Sequence, residues 1–198
     1  MANYSPEMRL FDAEGGRLYV SADERARFLV AAAEESREHR IFCHLLHYTG
    51  CRPSEGLELT PQRILLDENT IVFHTLKKTQ YRHIPVPVRL IEDLDLVFDL
   101  RRMMKSQQPQ NTPLWSMSRP TAWRMVKRAM ARAGIEGPQG TAKGLRHGFG
   151  IAMLSGEKPL PLNVLRDLLG HSDTQTTEIY LQVIGYEKRQ LVMQAWNT

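Results

Sequence analysis

Four short segments of the sequence carry cationic, imidazole or phenol side chains next to a predicted helix end or turn. In the first segment, Arg52 follows a helix break at Gly50 and precedes Pro53, a residue that suits the first turn of a helix. This placement directs the arginine toward a site instead of along a helix face, and Glu55 can brace it from the next turn. A single arginine in such a place is more typical of a protein surface, so its meaning depends on the other segments.

Two further segments add positive charge. Lys77 and Lys78 lie in a predicted tight turn between two strands, a position that by itself is typical of a solvated loop. Lys143 and Arg146 lie three residues apart, on one face of a predicted helix and close to its start. Two cations at the positive end of a helix are unfavourable unless an anion shares the site. The alternative interpretation is that both side chains face solvent.

The fourth segment ends in a tyrosine. Gly170 ends one predicted helix, His171 lies in the turn, and Tyr180 follows nine residues later, two turns along the next helix. One tyrosine at such a place is usually a core aromatic. Together with the arginines, however, it suits attack on a phosphate ester, because arginine forks match phosphate oxygens. A phenol has an ordinary pKa of about 10, so it needs such a cationic pocket to attack near neutral pH.

The elements that must position these residues are mostly helical. A capping box, Ser21 with Glu24, opens the first helix. The spacing of apolar residues predicts further helices at about 41–48, 53–59, 88–104, 121–133, 142–155, 161–169, 174–182 and 186–196. Alternating runs predict short strands at 63–66, 70–75 and 82–86. The predicted fold class is therefore mainly α with a small antiparallel β-sheet.

Positive charge is concentrated in one part of the chain. Residues 101–147 contain ten lysines and arginines and one acid, a net charge of +9, whereas the whole chain of 198 residues carries +4. A cluster of this kind is the footprint of a polyanion-binding surface, although a single basic helix can also be an ordinary solvated face. The residues that we expect to contact the polyanion are Arg119, Arg124, Lys127 and Arg128.

Composition excludes other classes of protein. No apolar run is long enough to cross a membrane and the start of the chain lacks a signal peptide, so we expect a cytoplasmic, nucleoid-associated protein. The two cysteines, Cys43 and Cys51, are expected to be reduced and buried. With His44 and His47 they form an alternative zinc set, which is weaker than a packed helix as an explanation. We see no carboxylate cluster for Mg²⁺, and we expect no metal or cofactor.

Three strings carry a family resemblance: TGCRPSEGLEL (49–59), KGLRHGFG (143–150) and LGHSDTQTTEIY (169–180). In order and spacing they resemble the signature boxes of the tyrosine recombinases, also called phage integrases, over roughly residues 20–196. The resemblance implies the tyrosine recombinase catalytic-domain fold. It also implies site-specific DNA recombination, integration included, in which strands are cut and rejoined through a 3′-phosphotyrosyl intermediate without metal or ATP. Such an activity is typical of an enzyme carried by a mobile genetic element.

The resemblance also assigns roles to residues. It implies that Arg52 and Arg146 hold the scissile phosphate, that His171 completes the phosphate shell, and that Tyr180 attacks phosphorus. Lys143 stands where most of the family has a histidine. A hairpin lysine would protonate the leaving 5′-oxygen; counting back from Pro85 favours Lys77, and Lys78 is the alternative. Glu55 would support the first arginine, and His147 is assigned a supporting or structural place.

The same resemblance sets expectations for organisation and partners. Residues 1–20 are expected to form an arm or linker and residues 21–198 the catalytic domain, with a C-terminal helix at 186–196 that docks on a neighbouring protomer. No separate N-terminal core-binding domain is expected within these residues; the protein is then either a naturally short recombinase or part of a longer protein. Double-stranded DNA is the expected substrate, bound by a homotetramer on paired sites that is a monomer or weak oligomer without DNA; an accessory DNA-binding protein is a further partner.

Two alternatives stay open. One is a topoisomerase or resolvase that performs the same chemistry on a single duplex. The other is a DNA-binding accessory protein that keeps the fold but does not recombine. Trp115, Trp123 and Trp196 are expected to fill core or interface positions rather than to stack on bases.

Overall fold

The helices of this computed structural model form where the sequence supplies caps and apolar stripes. The structure describes residues 9–75, 80–106, 111–171, 176–183 and 196. At the start of the first helix, Ser21 and Glu24 form the predicted reciprocal capping box. The helices are α1 (Ala22–Ala32), α2 (Arg37–Thr49), α3 (Pro53–Leu57), α4 (Val88–Phe98), α5 (Leu100–Lys105), α6 (Arg119–Arg132), α7 (Ala142–Ser155), α8 (Leu162–Leu169) and α9 (176–183).

Three antiparallel strands form one small sheet, as the alternating sequence runs predict. They are β1 (Ile64–Leu65), β2 (Thr70–Thr75) and β3 (Gln80–Pro85), in the order β1-β2-β3. In the β2–β3 register Ile71 pairs with Ile84 and Phe73 pairs with Arg82. These side chains are all buried, so the inner face of the sheet includes a charged residue.

The largest departures from the predicted helix bounds occur at two helices. The helix predicted at 88–104 is divided into α4 and α5 because Asp99 adopts a left-handed conformation, with φ of 53°. Asp95 then accepts a hydrogen bond from the main-chain nitrogen of Arg101 and stabilises the new helix start. The helix predicted at 41–48 begins earlier, at Arg37, because the polar residues that precede its apolar stripe also take helical conformation.

Buried apolar side chains form two clusters. The larger one joins α1, α2, α4, α6 and the sheet, with Phe28, Phe42 and Leu90 among its members. The smaller one lies around α7, α8 and α9, where Phe149 and Leu165 pack near Tyr180. Residues that precede α1 also contribute, since Leu10, Tyr19 and Val20 are buried in these clusters.

Gly50, between α2 and α3, is required by its surroundings. Its φ of 58° is left-handed, which glycine adopts at little cost. A Cβ atom built there would lie 2.6 Å from the Phe149 ring of α7. The close approach brings the α2–α3 junction, which carries Arg52, against the helix that carries Arg146.

No helix in the described part of the chain is long and apolar enough to cross a membrane.

Candidate active site

Glu55 joins two arginines at the start of α3. It accepts from the main-chain nitrogen of Arg52 at 2.7 Å and from Arg52 Nη1 at 3.1 Å. It also accepts from Arg82 of β3, with Nη1 3.0 Å from Oε1 and Nη2 2.5 Å from Oε2. The Glu55 and Arg82 side chains are buried, whereas Arg52 is 46% exposed. The carboxylate therefore holds both the main chain and the guanidinium of Arg52, whose side chain is nevertheless about half exposed.

Arg146 of α7 is held by main-chain oxygens from two other elements. Its Nη1 donates to the carbonyl of Gly50 at 2.7 Å, and its Nη2 donates to the carbonyl of Leu169 at 2.6 Å. These bonds use two of the five N–H donors of a guanidinium. The single side chain thus connects the α2–α3 junction with the end of α8.

Tyr180 lies at the centre of an imidazole pair. Its hydroxyl is 3.1 Å from Nδ1 of His147, and its ring stacks on His171 with centroids 6.5 Å apart and an interplanar angle of 11°. His171 in turn is 3.0 Å from the hydroxyl of Thr177 through its own Nδ1. The tyrosine side chain has 0% exposure. A Cβ on Gly150 would lie 2.7 Å from its ring, so the helix is shaped to admit it.

The protonation states follow from burial and from the arginines. Burial, with the charge of Arg52, lowers the pKa of Arg146 to about 10, so it stays cationic at neutral pH. Burial and neighbouring cations lower the pKa of both His147 and His171 to about 3, so both imidazoles are neutral. Burial raises the pKa of Tyr180 to about 12, against the opposing effect of Arg146 and Arg52. The site therefore holds the guanidinium groups of Arg52, Arg82 and Arg146, the Glu55 carboxylate, two neutral imidazoles and a protonated phenol.

The structure brings together most of the predicted site residues that it describes. Arg52, Glu55, Arg146, His147, His171 and Tyr180 converge where α3, α7 and the α8–α9 connection meet. Lys143 is exposed near the start of α7. Lys77 and Lys78 lie outside the described residues, as do residues 186–195 of the predicted C-terminal helix.

The basic residues of α6 lie on different edges of that helix. Arg119, Trp123 and Lys127 line a shallow cleft with Pro53 and Thr141, on the side of the arginine site. Lys127 also donates to the carbonyl of Gly140 at 3.0 Å. Arg124 is exposed between the two edges.

Arg128 lies on the opposite edge of α6. Its Nε and Nη2 donate to the buried carboxylate of Glu35 at 2.9 and 2.5 Å, and Arg132 donates to the same carboxylate at 2.6 Å. The charge of Arg128 is therefore largely offset within the protein.

The tryptophans differ in burial. Trp115 is a core residue, as predicted, and its indole nitrogen donates to the carbonyl of Glu38 at 3.0 Å. Trp123 is 62% exposed in the cleft beside Arg119, and Trp196 is also exposed, so neither fills the core. Trp123 therefore lies on the surface of the protein, beside Arg119 and Lys127.

Arg82 and Thr177 were missed by sequence reasoning. Arg82 stands two residues before Ile84 in β3, so strand alternation places both side chains on one face. A buried arginine requires a carboxylate partner, and this signal leads to Glu55. Thr177 stands in the LGHSDTQTTEIY string, which by itself does not indicate a contact with His171.

The cysteines are buried thiols, as predicted. Burial raises the pKa of Cys43 and of Cys51 to about 12, so both are protonated at neutral pH. Within the described ranges, no three His, Cys, Asp or Glu side chains are placed to hold a metal ion. The described Cys43, His44, His47 and Cys51 accordingly do not form the alternative zinc set.

Comparison with known proteins identifies the family. The model of the phage integrase family matches residues 19–185 of this chain. A curated relative, the tyrosine recombinase XerA of Thermococcus kodakarensis, is 27% identical over 170 residues, which cover 83% of this chain and 57% of the relative. The chain therefore belongs to the phage integrase family, and it spans less than two thirds of the length of that relative.

Solved structures show the same fold. A crystal structure of XerA recombinase aligns with a TM-score of 0.71 and 25% identity, covering 89% of this chain and 64% of that one. The catalytic domain of bacteriophage HP1 integrase aligns with a TM-score of 0.60 and 24% identity, covering 83% and 86% of the two chains. The predicted fold class, a mostly helical tyrosine recombinase catalytic domain with a small antiparallel sheet, is confirmed.

Proposed function

We propose that this chain cuts and rejoins DNA strands at specific sites, with Tyr180 as the nucleophile and a 3′-phosphotyrosyl enzyme as the intermediate. The observation that carries the proposal is the convergence of Arg52, Arg146 and His171 on one buried tyrosine. Fixed cationic donors favour the extra negative charge that phosphorus oxygens gain in the transition state. Family membership supports the same chemistry.

In the proposed cleavage step, a bond forms between Tyr180 Oη and phosphorus while the bond from phosphorus to the 5′-oxygen breaks. The phenol proton passes to water, and the 5′-oxygen takes a proton from a lysine, which we assign to Lys77 with Lys78 as the alternative. Arg52 and Arg146 hold the non-bridging oxygens, and Lys143 adds positive charge at the start of α7. Rejoining reverses these transfers with a second 5′-hydroxyl, so no ATP is consumed.

The proposed substrate is double-stranded DNA, bound by a homotetramer on paired sites. We propose that Arg119, Arg124 and Lys127 contact phosphates, because they lie on or beside the edge of α6 that borders the arginine site. Arg128 is assigned a smaller contribution because Glu35 already offsets its charge. The exposed Trp123 lies on the same edge of α6 as Arg119 and Lys127 and would contact the duplex together with them.

The function is tested with nicked suicide substrates made from DNA that neighbours the gene, in buffer containing a metal chelator. We expect a covalent protein–DNA adduct that keeps a label placed upstream of the scissile phosphate, because the tyrosine joins the 3′-phosphate. A label retained on the downstream strand would contradict the 3′ linkage. Binding with no adduct would support the accessory-protein alternative. If the protein relaxes a supercoiled plasmid that carries a single site, the result would support the topoisomerase alternative.

Substitutions on α6 test the proposed DNA surface. Arg119→Ala is expected to weaken DNA binding and to lower the slope of log K against log salt by about one unit, because one phosphate contact is lost. Arg128→Ala is the matched control on the same helix and is expected to change the slope less. Fluorescence anisotropy over a series of salt concentrations measures both. An equal loss in the two variants, or no salt dependence in the wild type, would overturn the assignment.

A further inference from the structure

His147 directly follows Arg146 in the sequence and contacts Tyr180, the proposed nucleophile. Arg146 and His147 are consecutive on α7, and both are buried. Arg146 reaches across to Gly50 and Leu169, whereas His147 places Nδ1 3.1 Å from the hydroxyl of Tyr180. One rigid helix thus carries both the group that would hold the phosphate and the group that holds the attacking oxygen.

In this contact the phenol can donate its proton to the imidazole. The Tyr180 phenol is protonated, since its pKa is about 12, and a phenol O–H is a good donor. Neutral imidazole carries a lone pair on one nitrogen and a proton on the other, so the contact is compatible with Nδ1 as the acceptor of the phenol proton and with the proton of His147 on Nε2. Among the described residues Nε2 is buried without a hydrogen-bond partner.

The surroundings restrict the tyrosine to this partner. Gly150, one turn after His147, leaves room for the Tyr180 ring, and His171 stacks on its other side. These contacts fix the orientation of the Tyr180 ring. The rotation of the hydroxyl proton about the C–O bond is then the remaining degree of freedom. An acceptor at Nδ1 fixes this rotation, and the lone pairs of the Tyr180 oxygen then point away from the His147 imidazole.

We propose that His147 is a positioning residue for the nucleophile: its Nδ1 holds the Tyr180 hydroxyl in the orientation for attack on a phosphate bound by Arg146. This inference rests on the proposed function. His147 is too weak a base to keep the phenol proton, because burial, with Lys143 and Arg146, lowers its pKa to about 3. It therefore acts by orienting the hydroxyl, while the proton leaves to water.

The test compares two variants that differ in the acceptor. His147→Leu fills a similar volume without an acceptor, whereas His147→Asn places a carbonyl oxygen near the position of Nδ1. With enzyme in excess on a suicide substrate, we expect His147→Leu to cleave about 10- to 100-fold more slowly at unchanged DNA affinity, since misorientation of a reacting group has effects of this size. His147→Asn should recover most of the rate.

Several outcomes would overturn the inference. Cleavage by His147→Leu at the wild-type rate or faster would show that the hydrogen bond does not orient attack, and an equally slow His147→Asn would reduce the role of His147 to packing. Nitrogen NMR of ring-labelled histidines in the DNA-free protein supplies a readout that survives if His147→Leu fails to fold. Tyr180→Phe should shift the Nδ1 resonance of His147, and an unchanged resonance contradicts the contact. If the wild type forms no adduct, the proposed function fails instead.

Discussion

A Tyr180→Phe variant is expected to bind DNA and yet form no covalent adduct. The phenol oxygen is the atom that would join phosphorus, and phenylalanine removes that atom while it keeps the ring that packs on Gly150 and His171. Arg52 and Arg146 are unchanged, so the phosphate site should persist. Denaturing electrophoresis of suicide-substrate reactions measures the adduct, and a mobility shift measures binding.

The loss of the hydroxyl should have a modest effect on stability. It removes the donor to Nδ1 of buried His147, and a buried polar atom left unsatisfied costs about 1–3 kcal/mol. Tyr48→Phe is the matched control, because it removes a phenol hydroxyl from the half-buried face of α2, beside a groove with α4. We expect Tyr48→Phe to retain the adduct. An adduct formed by Tyr180→Phe would place the nucleophile elsewhere in the chain.

A Glu55→Leu variant is expected to be strongly destabilised. Glu55 accepts two hydrogen bonds from the buried guanidinium of Arg82 and two from Arg52. Leucine removes the carboxylate that offsets the charge of Arg82, and breaking a buried pair in this way costs about 3–5 kcal/mol. Urea unfolding followed by the fluorescence of buried Trp115 measures the loss. Glu58→Leu, at an exposed position just after α3, is the control and should change stability little.

A double variant separates charge from packing. With Glu55→Leu and Arg82→Leu together, most of the lost stability should return, because an apolar pair of similar volume avoids the buried charge. Cleavage should stay slow in the double variant, since Arg52 has lost the carboxylate that anchors it. Full recovery of cleavage would show that Glu55 acts only in folding.

The Glu55 pair also predicts a dependence on pH. Burial alone raises the pKa of Glu55, but the hydrogen bonds and charge of Arg82 outweigh it, so the net pKa lies below the ordinary 4.5. A carboxyl with a lowered folded-state pKa contributes its stability above the unfolded value and loses it as the pH falls through the folded value. The stability difference between wild type and Glu55→Gln should therefore shrink below about pH 4.5. A constant difference down to pH 3 would contradict it.

The sequence predicted much of this domain because its signals are local. Ser21 and Glu24 form their capping box within a few residues, and Gly50 and Gly170 end helices through their own left-handed conformations. The break at Asp99 was not predictable in this way, because an aspartate adopts a positive φ only where its neighbours favour it. The division of α6 into a site-facing edge and the edge paired with Glu35 also depends on which helices pack beside it.

By itself the sequence determined which residue types occur and in what order: an arginine after a helix break, a lysine and an arginine one turn apart, and a histidine and a tyrosine across a turn. Order and spacing along the chain are local properties, and they were enough to indicate the family. Only the tertiary structure decided that Arg82 reaches Glu55 and that the Tyr180 hydroxyl meets His147. These contacts join residues 27 and 33 positions apart, and the packing of separate elements sets their distances.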